Sequence, residues 1–195
     1  MKIDRLIQIK SNSLKPARGR TLLSEPFMGD YYFGRSVILL ADHNEKGTYG
    51  VVLNKGINTK LNEVSSDFHD LPLPLFIGGP VETNRLFFVH TIGDKIEGAI
   101  KIKENLYWGG KMEAITALAN QGLLNEQNIR FFMGYSGWAA HQLENELKRN
   151  SWAITRISAK QIFFTPPELL WKKMTQKLGE EYRLWHQFPV DPNMN

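Results

Sequence analysis

A chain of 195 residues with 42% hydrophobic content suits one compact domain with a core of ordinary size, and its lack of cysteine excludes disulfides, thiolate metal sites and cysteine nucleophiles. The formal charge of +4 sits at the start, where residues 1–20 carry Lys2, Arg5, Lys10, Lys15, Arg18 and Arg20 against Asp4 alone. The remainder is close to neutral, which weakens any inference to a broad basic face for nucleic acid on the folded body.

No run reaches the ~20 apolar residues of a membrane-spanning helix, and the N-terminus lacks the continuous apolar core of a signal peptide. A soluble, cytoplasmic protein without membrane contact is expected. Two readings stand for the basic segment: a solvated lead-in whose Ile3, Leu6 and Ile7 form a helical stripe docking on the domain, or an arm touching phosphates.

Residues 37–41 and 51–53 are two aliphatic runs around the polar, Gly-bearing stretch 42–48, the pattern of a β-hairpin. Thr59 is placed to cap a short helix bearing Leu61 and Val64, and 65–74 reads as a loop. A short strand over 75–77 runs into Gly78-Gly79-Pro80, where glycine permits positive φ and proline fixes the exit. The near-continuous apolar run 86–92 predicts a strand covered on both faces and central in its sheet. A weaker strand follows within 96–103. Residues 111–121 put Met112, Ile115, Leu118 and Ala119 on one helical face, with Gly122 as the stop. A buried strand over 129–133 is expected to turn through Gly134-Tyr135-Ser136-Gly137 into a helix over 138–149, with Ser136 as its N-cap and Ala139, Ala140, Leu143 and Leu147 as its apolar face. Residues 152–157 and 161–164 read as two short strands. Thr165-Pro166-Pro167-Glu168 reads as a capping box opening a last helix on Leu170, Met174 and Leu178.

Strands and helices thus alternate. The expectation is an α/β or α+β fold, a single compact domain whose mixed β-sheet is flanked by helices, with an N-terminal hairpin and room for a smaller C-terminal layer. Its parts are a basic segment 1–20, a domain 21–180 and a tail 181–195. Trp185 and Phe188 in that tail require a surface to pack on, within this chain or on a neighbour.

The quoted blocks carry a resemblance. PFMGDYYFGRSVILLADHNEKGTYGVVLNK (26–55), FIGGPVETNRLFFVH (76–90) and GYSGWAAHQLENELKRNSW (134–152), with FFTPPELLWKKMTQKLG (163–179), resemble the signature blocks of the AlgH/YqgE family, in that family's order. The resemblance implies a small bacterial cytoplasmic protein of α/β or α+β fold, described as a transcriptional regulator and without an established activity.

Gly134-Tyr135-Ser136-Gly137-Trp138 misses the G-x-S-x-G of a nucleophile elbow, because Trp138 stands where the second glycine belongs; the family also admits alanine in place of Ser136. The histidines at 43, 69, 90, 141 and 186 include no i, i+4 pair, so no metal is expected. Trp108-Gly109-Gly110-Lys111 lacks P-loop spacing and reads as a tight turn into a helix, with an anion at its N-terminus as the weaker reading. No cofactor motif is present. His141 departs from the family, which usually has glycine there.

The polar set Arg35, Asn54, Gln142 and Glu144 matches family motif positions. In one reading Arg35 and Glu144 form an ion pair or bond to exposed backbone groups where strands end, fixing how the helix sits on the hairpin; in the other the set lines a cleft with Tyr135 and Trp138, and with His43 nearby. No catalytic residue is assigned. The leading expectation is a regulatory or interaction protein, with a protein partner or nucleic acid but no recognisable DNA-binding motif. The alternatives are an enzyme using the cleft near Arg35, His43, Tyr135 and Glu144, and an assembly role in which the C-terminal aromatics bury in a partner.

Overall fold

The computed structural model describes residues 14–179, 182 and 184–188. The expected stripe of Ile3, Leu6 and Ile7, and the start of the basic segment, lie outside them. The strands are β1 (Arg20–Ser24), β2 (Val37–Asn44), β3 (Gly47–Val52), β4 (Gly56–Lys60), β5 (Pro74–Ile77), β6 (Val81–His90), β7 (Ile100–Lys103), β8 (Leu106–Trp108), β9 (Ile129–Ala139) and β10 (Trp152–Arg156). The helices are α1 (Leu61–Val64), α2 (Met112–Asn120), α3 (Gln142–Lys148), α4 (Ala159–Phe164) and α5 (Pro167–Thr175).

All the strands join one open, 10-stranded sheet in the order β10-β1-β2-β3-β9-β6-β8-β7, with β4 on β5 and β5 on β9. Only β5 and β9 run parallel; the other pairs are antiparallel, giving an α+β domain. The long strand β9 is the spine. One of its edges carries β6, while the other is shared end to end by β5 at residues 131–133 and β3 at 136–139.

Helices cover both faces, which is why the strands read as unbroken apolar runs. Leu23, Val37 and Leu39 face a core closed by Leu170, Trp171 and Met174 of α5. Their alternates Leu22, Ile38 and Leu40 face a second core with Leu143 of α3. Phe88 and Phe131 meet Ile115 of α2 and Leu61 of α1 in a third. The β2–β3 hairpin forms as expected, but its strands extend into the polar stretch, leaving only Glu45 and Lys46 as the turn. The register slips at Ala41, between the pairs Leu40–Gly50 and Asp42–Tyr49. Gly50 makes that bulge possible: a Cβ there would lie 2.1 Å from the Leu39 carbonyl oxygen.

Several local expectations are corrected. Residues 134–139 continue β9 rather than opening a helix, and α3 starts only at Gln142. Ser136 is therefore no N-cap; its buried hydroxyl donates to the Gly78 carbonyl at 2.9 Å and ties β9 to the Gly78-Gly79 crossing. Residues 161–164 are helical, not a strand, because Ser158 and Gln161 form a reciprocal capping box that starts α4. The capping box expected at Thr165 is absent, since Pro166 occupies the N-cap of α5 and no side chain caps it. Lys60, not Thr59, precedes α1. Strands β1, β4 and β8 were not anticipated. Trp185 buries on its own chain, stacked on Trp171 with ring centroids 6.4 Å apart, while the half-buried Phe188 packs on Phe27 at 4.7 Å and its carbonyl accepts from Arg35 Nη2 at 2.6 Å.

A candidate aromatic groove

Strands β3, β9, β6 and β8 are consecutive neighbours, and each contributes one aromatic ring to one side of the sheet: Tyr49, Tyr135, Phe87 and Trp108. The rings form a continuous shelf. Phe87 stacks on Trp108 at 5.7 Å, Tyr135 meets Phe87 edge-on at 5.3 Å, and Tyr49 touches Trp108 at 5.8 Å and Tyr135 at 6.4 Å. Gly137 stands opposite Tyr49 across the β3–β9 ladder and so leaves space beside both tyrosines.

The shelf lies in an open groove of about 710 Å³. Lys46 at the hairpin turn and Arg85 on β6 are exposed members of its wall. The Arg85 guanidinium sits 5.8 Å over the Phe87 ring while its Nη1 donates to Glu82 Oε2 at 2.6 Å. Burial, and then the nearby Asp42 carboxylate, raise the Tyr49 phenol above its ordinary pKa, so it is a neutral hydroxyl near neutral pH. The arrangement offers flat apolar faces with cations beside them, suited to stacking a planar ligand that carries negative charge.

The expected polar set does not converge. Tyr135 enters the groove, and Trp138 reaches its edge while its indole packs in the α3 core against Trp152. His43 lies directly opposite Thr48, with Nδ1 2.7 Å from Thr48 Oγ1 and Nε2 3.7 Å from Glu144 Oε1. Gln142 caps the end of β9, accepting from Ala139 N at 3.0 Å. Arg35 and Asn54 sit at the far end of β2, roughly 25 Å away at the usual strand rise, so Arg35 does not pair with Glu144 and bonds instead to a backbone carbonyl, that of Phe188. Both ends of the Asn54 amide are engaged: Oδ1 accepts from Val37 N at 2.8 Å and Nδ2 donates to the Arg35 carbonyl at 2.9 Å.

The sequence reading missed Glu146, whose Oε2 accepts from the indoles of Trp138 at 2.8 Å and Trp152 at 2.7 Å while Oε1 accepts from Gln142 at 2.9 Å. It also missed Tyr49, Phe87, Trp108 and Arg85. Phe87 and Trp108 stand in apolar surroundings that look like plain core, and only the strand order, which brings β8 beside β6, reveals them as a shared surface.

Comparison with known proteins decides the family. The AlgH-like family profile matches residues 21–183. The chain belongs to the AlgH-like family. Among its relatives, a UPF0301 protein of Parabacteroides distasonis is 41% identical over 192 residues, covering 97% of each chain. One of Bacteroides thetaiotaomicron is 41% identical over 191 residues with the same coverage. The solution structure of AlgH from Pseudomonas aeruginosa superposes with a TM-score of 0.70 at 29% identity, covering 87% of this chain and 93% of that one. A crystal structure of a Corynebacterium diphtheriae protein shares the fold, with a TM-score of 0.78 at 24% identity over 96% of this chain and 100% of that one.

Proposed function

We propose that this AlgH-like chain is a cytoplasmic regulatory protein that acts by binding, and that the aromatic groove takes unpaired bases of single-stranded nucleic acid. The observation that carries this reading is the shelf of four rings on four adjacent strands, bordered by Lys46 and Arg85. Antiparallel sheets that read unpaired RNA stack bases on rings in this manner, at about 1–3 kcal/mol per base. Such a surface suits a regulator that acts by stacking on unpaired bases. The test is anisotropy of a labelled oligouridylate against the wild type and Tyr49→Leu, which keeps apolar bulk but loses the stacking face. The expected result is roughly 5–100-fold weaker binding by the variant. Equal affinity would remove the groove from the interaction.

One observation favours a second reading, acid–base catalysis: Thr48 Oγ1, His43 and Glu144 lie in series, with the hydroxyl hydrogen-bonded to the imidazole. The 3.7 Å gap to Glu144 exceeds a hydrogen bond, so the imidazole is not held by the carboxylate as a charge-oriented base would be. The aromatic shelf is therefore the stronger basis.

A further inference from the structure

A second cleft, of about 520 Å³, opens between β4, β5 and the start of β9 on one wall and the α4–α5 corner on the other. It shares no lining residue with the aromatic groove. Its volume is in the range of small-molecule sites. The cleft holds a cation that the fold leaves largely uncompensated. Arg130 is only 8% exposed, yet no carboxylate among the described residues approaches it within 4.0 Å. Its one hydrogen bond runs from Nη1 to the Leu53 carbonyl at 3.0 Å, and the guanidinium lies 4.5 Å over the Phe76 ring. Those two contacts hold the side chain in place, and among the described residues its side-chain hydrogen bonding is through Nη1 alone.

Burial pushes the Arg130 pKa down to about 10, partly offset by the charge of Glu126, so the group remains a cation in a setting that penalises its charge. A planar donor fork of this kind matches a carboxylate. The apolar part of the lining is Phe76, Phe163 and the exposed Phe164, with Pro74, Pro166 and Pro167. The uncapped N-terminus of α5 also faces the cleft, adding a positive dipole end. Glu126 and Glu168 stand in its wall, and their charge disfavours a multiply charged anion.

We propose that this cleft is a binding site for a small monocarboxylate with an apolar body, its carboxylate on Arg130 and its body against Phe76, Phe163 and Phe164. The site stands independently of the nucleic-acid reading, and either can fail alone.

The test follows amide and side-chain NMR shifts of the full chain titrated with phenylacetate, hexanoate, phenylacetamide and phenyl phosphate. Saturable shifts centred on Phe76, Arg130 and residues 163–168 are expected for the two carboxylates, with at least about tenfold weaker binding of the amide and of the phosphate dianion. Arg130→Gln should weaken phenylacetate at least about tenfold, while Glu126→Gln, at an exposed position, should tighten it several-fold. If Arg130→Gln does not fold, the acid–amide comparison on the native chain decides alone. Equal binding of phenylacetate and phenylacetamide, or no saturable shift at these residues up to about 10 mM, overturns the proposal.

Discussion

His90 is a single side chain whose place and kind both follow from its position in an apolar strand. Its strand position predicted a buried imidazole, and it is fully buried, with Nε2 3.0 Å from the Gly109 carbonyl and its ring stacked on Tyr107 at 5.6 Å. That leaves Nδ1 without a partner, so the neutral ring donates through Nε2. Burial lowers the folded pKa below the ordinary value of 6.5, against a smaller raising effect of the Gly109 bond. Between the lowered folded value and about 6.5 the unfolded state binds more protons, so stability falls as the pH drops through that window and carries no penalty above it. Denaturant midpoints should show a loss of up to about 1.4 kcal/mol per pH unit just below pH 6.5. His90→Gln, which offers a neutral donor, should lack that slope; an unchanged profile would mean that His90 is not its source. At position 141 the backbone takes a conformation that no sequence pattern exposes. His141 has φ 63, in the left-handed region where a side chain is strained, and it precedes α3. Substitution His141→Gly should stabilise the fold by about 0.5–1 kcal/mol in thermal or chemical unfolding, whereas destabilisation would show that the imidazole contributes more than the strain costs.

At the scale of elements, long periodic or β-branched segments were legible and the junctions were not. The β2–β3 hairpin, β6, α2 and α5 follow from apolar patterning that local chemistry alone can specify. Residues 134–138 misled because glycines between an apolar run and a helical pattern look like a turn. They are in fact the part of β9 that crosses the Gly78-Gly79 corner, a tertiary contact with no local trace. There Gly79 has φ +151, and a Cβ on it would lie 2.4 Å from the Tyr135 carbonyl carbon and oxygen. Gly78 N donates to the Met133 carbonyl at 2.8 Å, and Val52 N donates to the Gly78 carbonyl at 2.9 Å, so β3, β5 and β9 are joined at this corner. Gly79→Ala should therefore cost about 1–3 kcal/mol or more, read as a shift in the urea midpoint; a change within about 0.5 kcal/mol would contradict so tight a crossing. Residues 161–164 misled in the opposite sense. Their apolar run has no period long enough to separate helix from strand, although the Ser158 and Gln161 spacing of a capping box was present to be read.

For the whole molecule, the mixed sheet with helices on both faces was legible, because alternate residues of β2 feed two different cores. The candidate site was only partly so. Tyr135 and Trp138 were named, but the polar residues expected around them distribute to opposite ends of β2, and the rings that do meet come from four strands spread over residues 49–135. Surfaces assembled by strand order cannot be read from periodicity. The charge distribution sharpens the question, since the net positive excess lies in the first 20 positions while the groove itself presents Lys46 and Arg85.

The most direct measurement is therefore a salt series of oligouridylate binding to the full chain and to the same chain carrying Lys2→Gln, Arg5→Gln and Lys10→Gln. Each phosphate contact contributes about 0.7 to the slope of log affinity against log salt for a single strand. If the groove is the site, the variant still binds, and its remaining slope of roughly 1.4 corresponds to two contacts, falling when Lys46→Gln and Arg85→Gln are added. Binding that disappears with the three N-terminal charges would contradict the groove as the nucleic-acid site and assign the interaction to the basic segment.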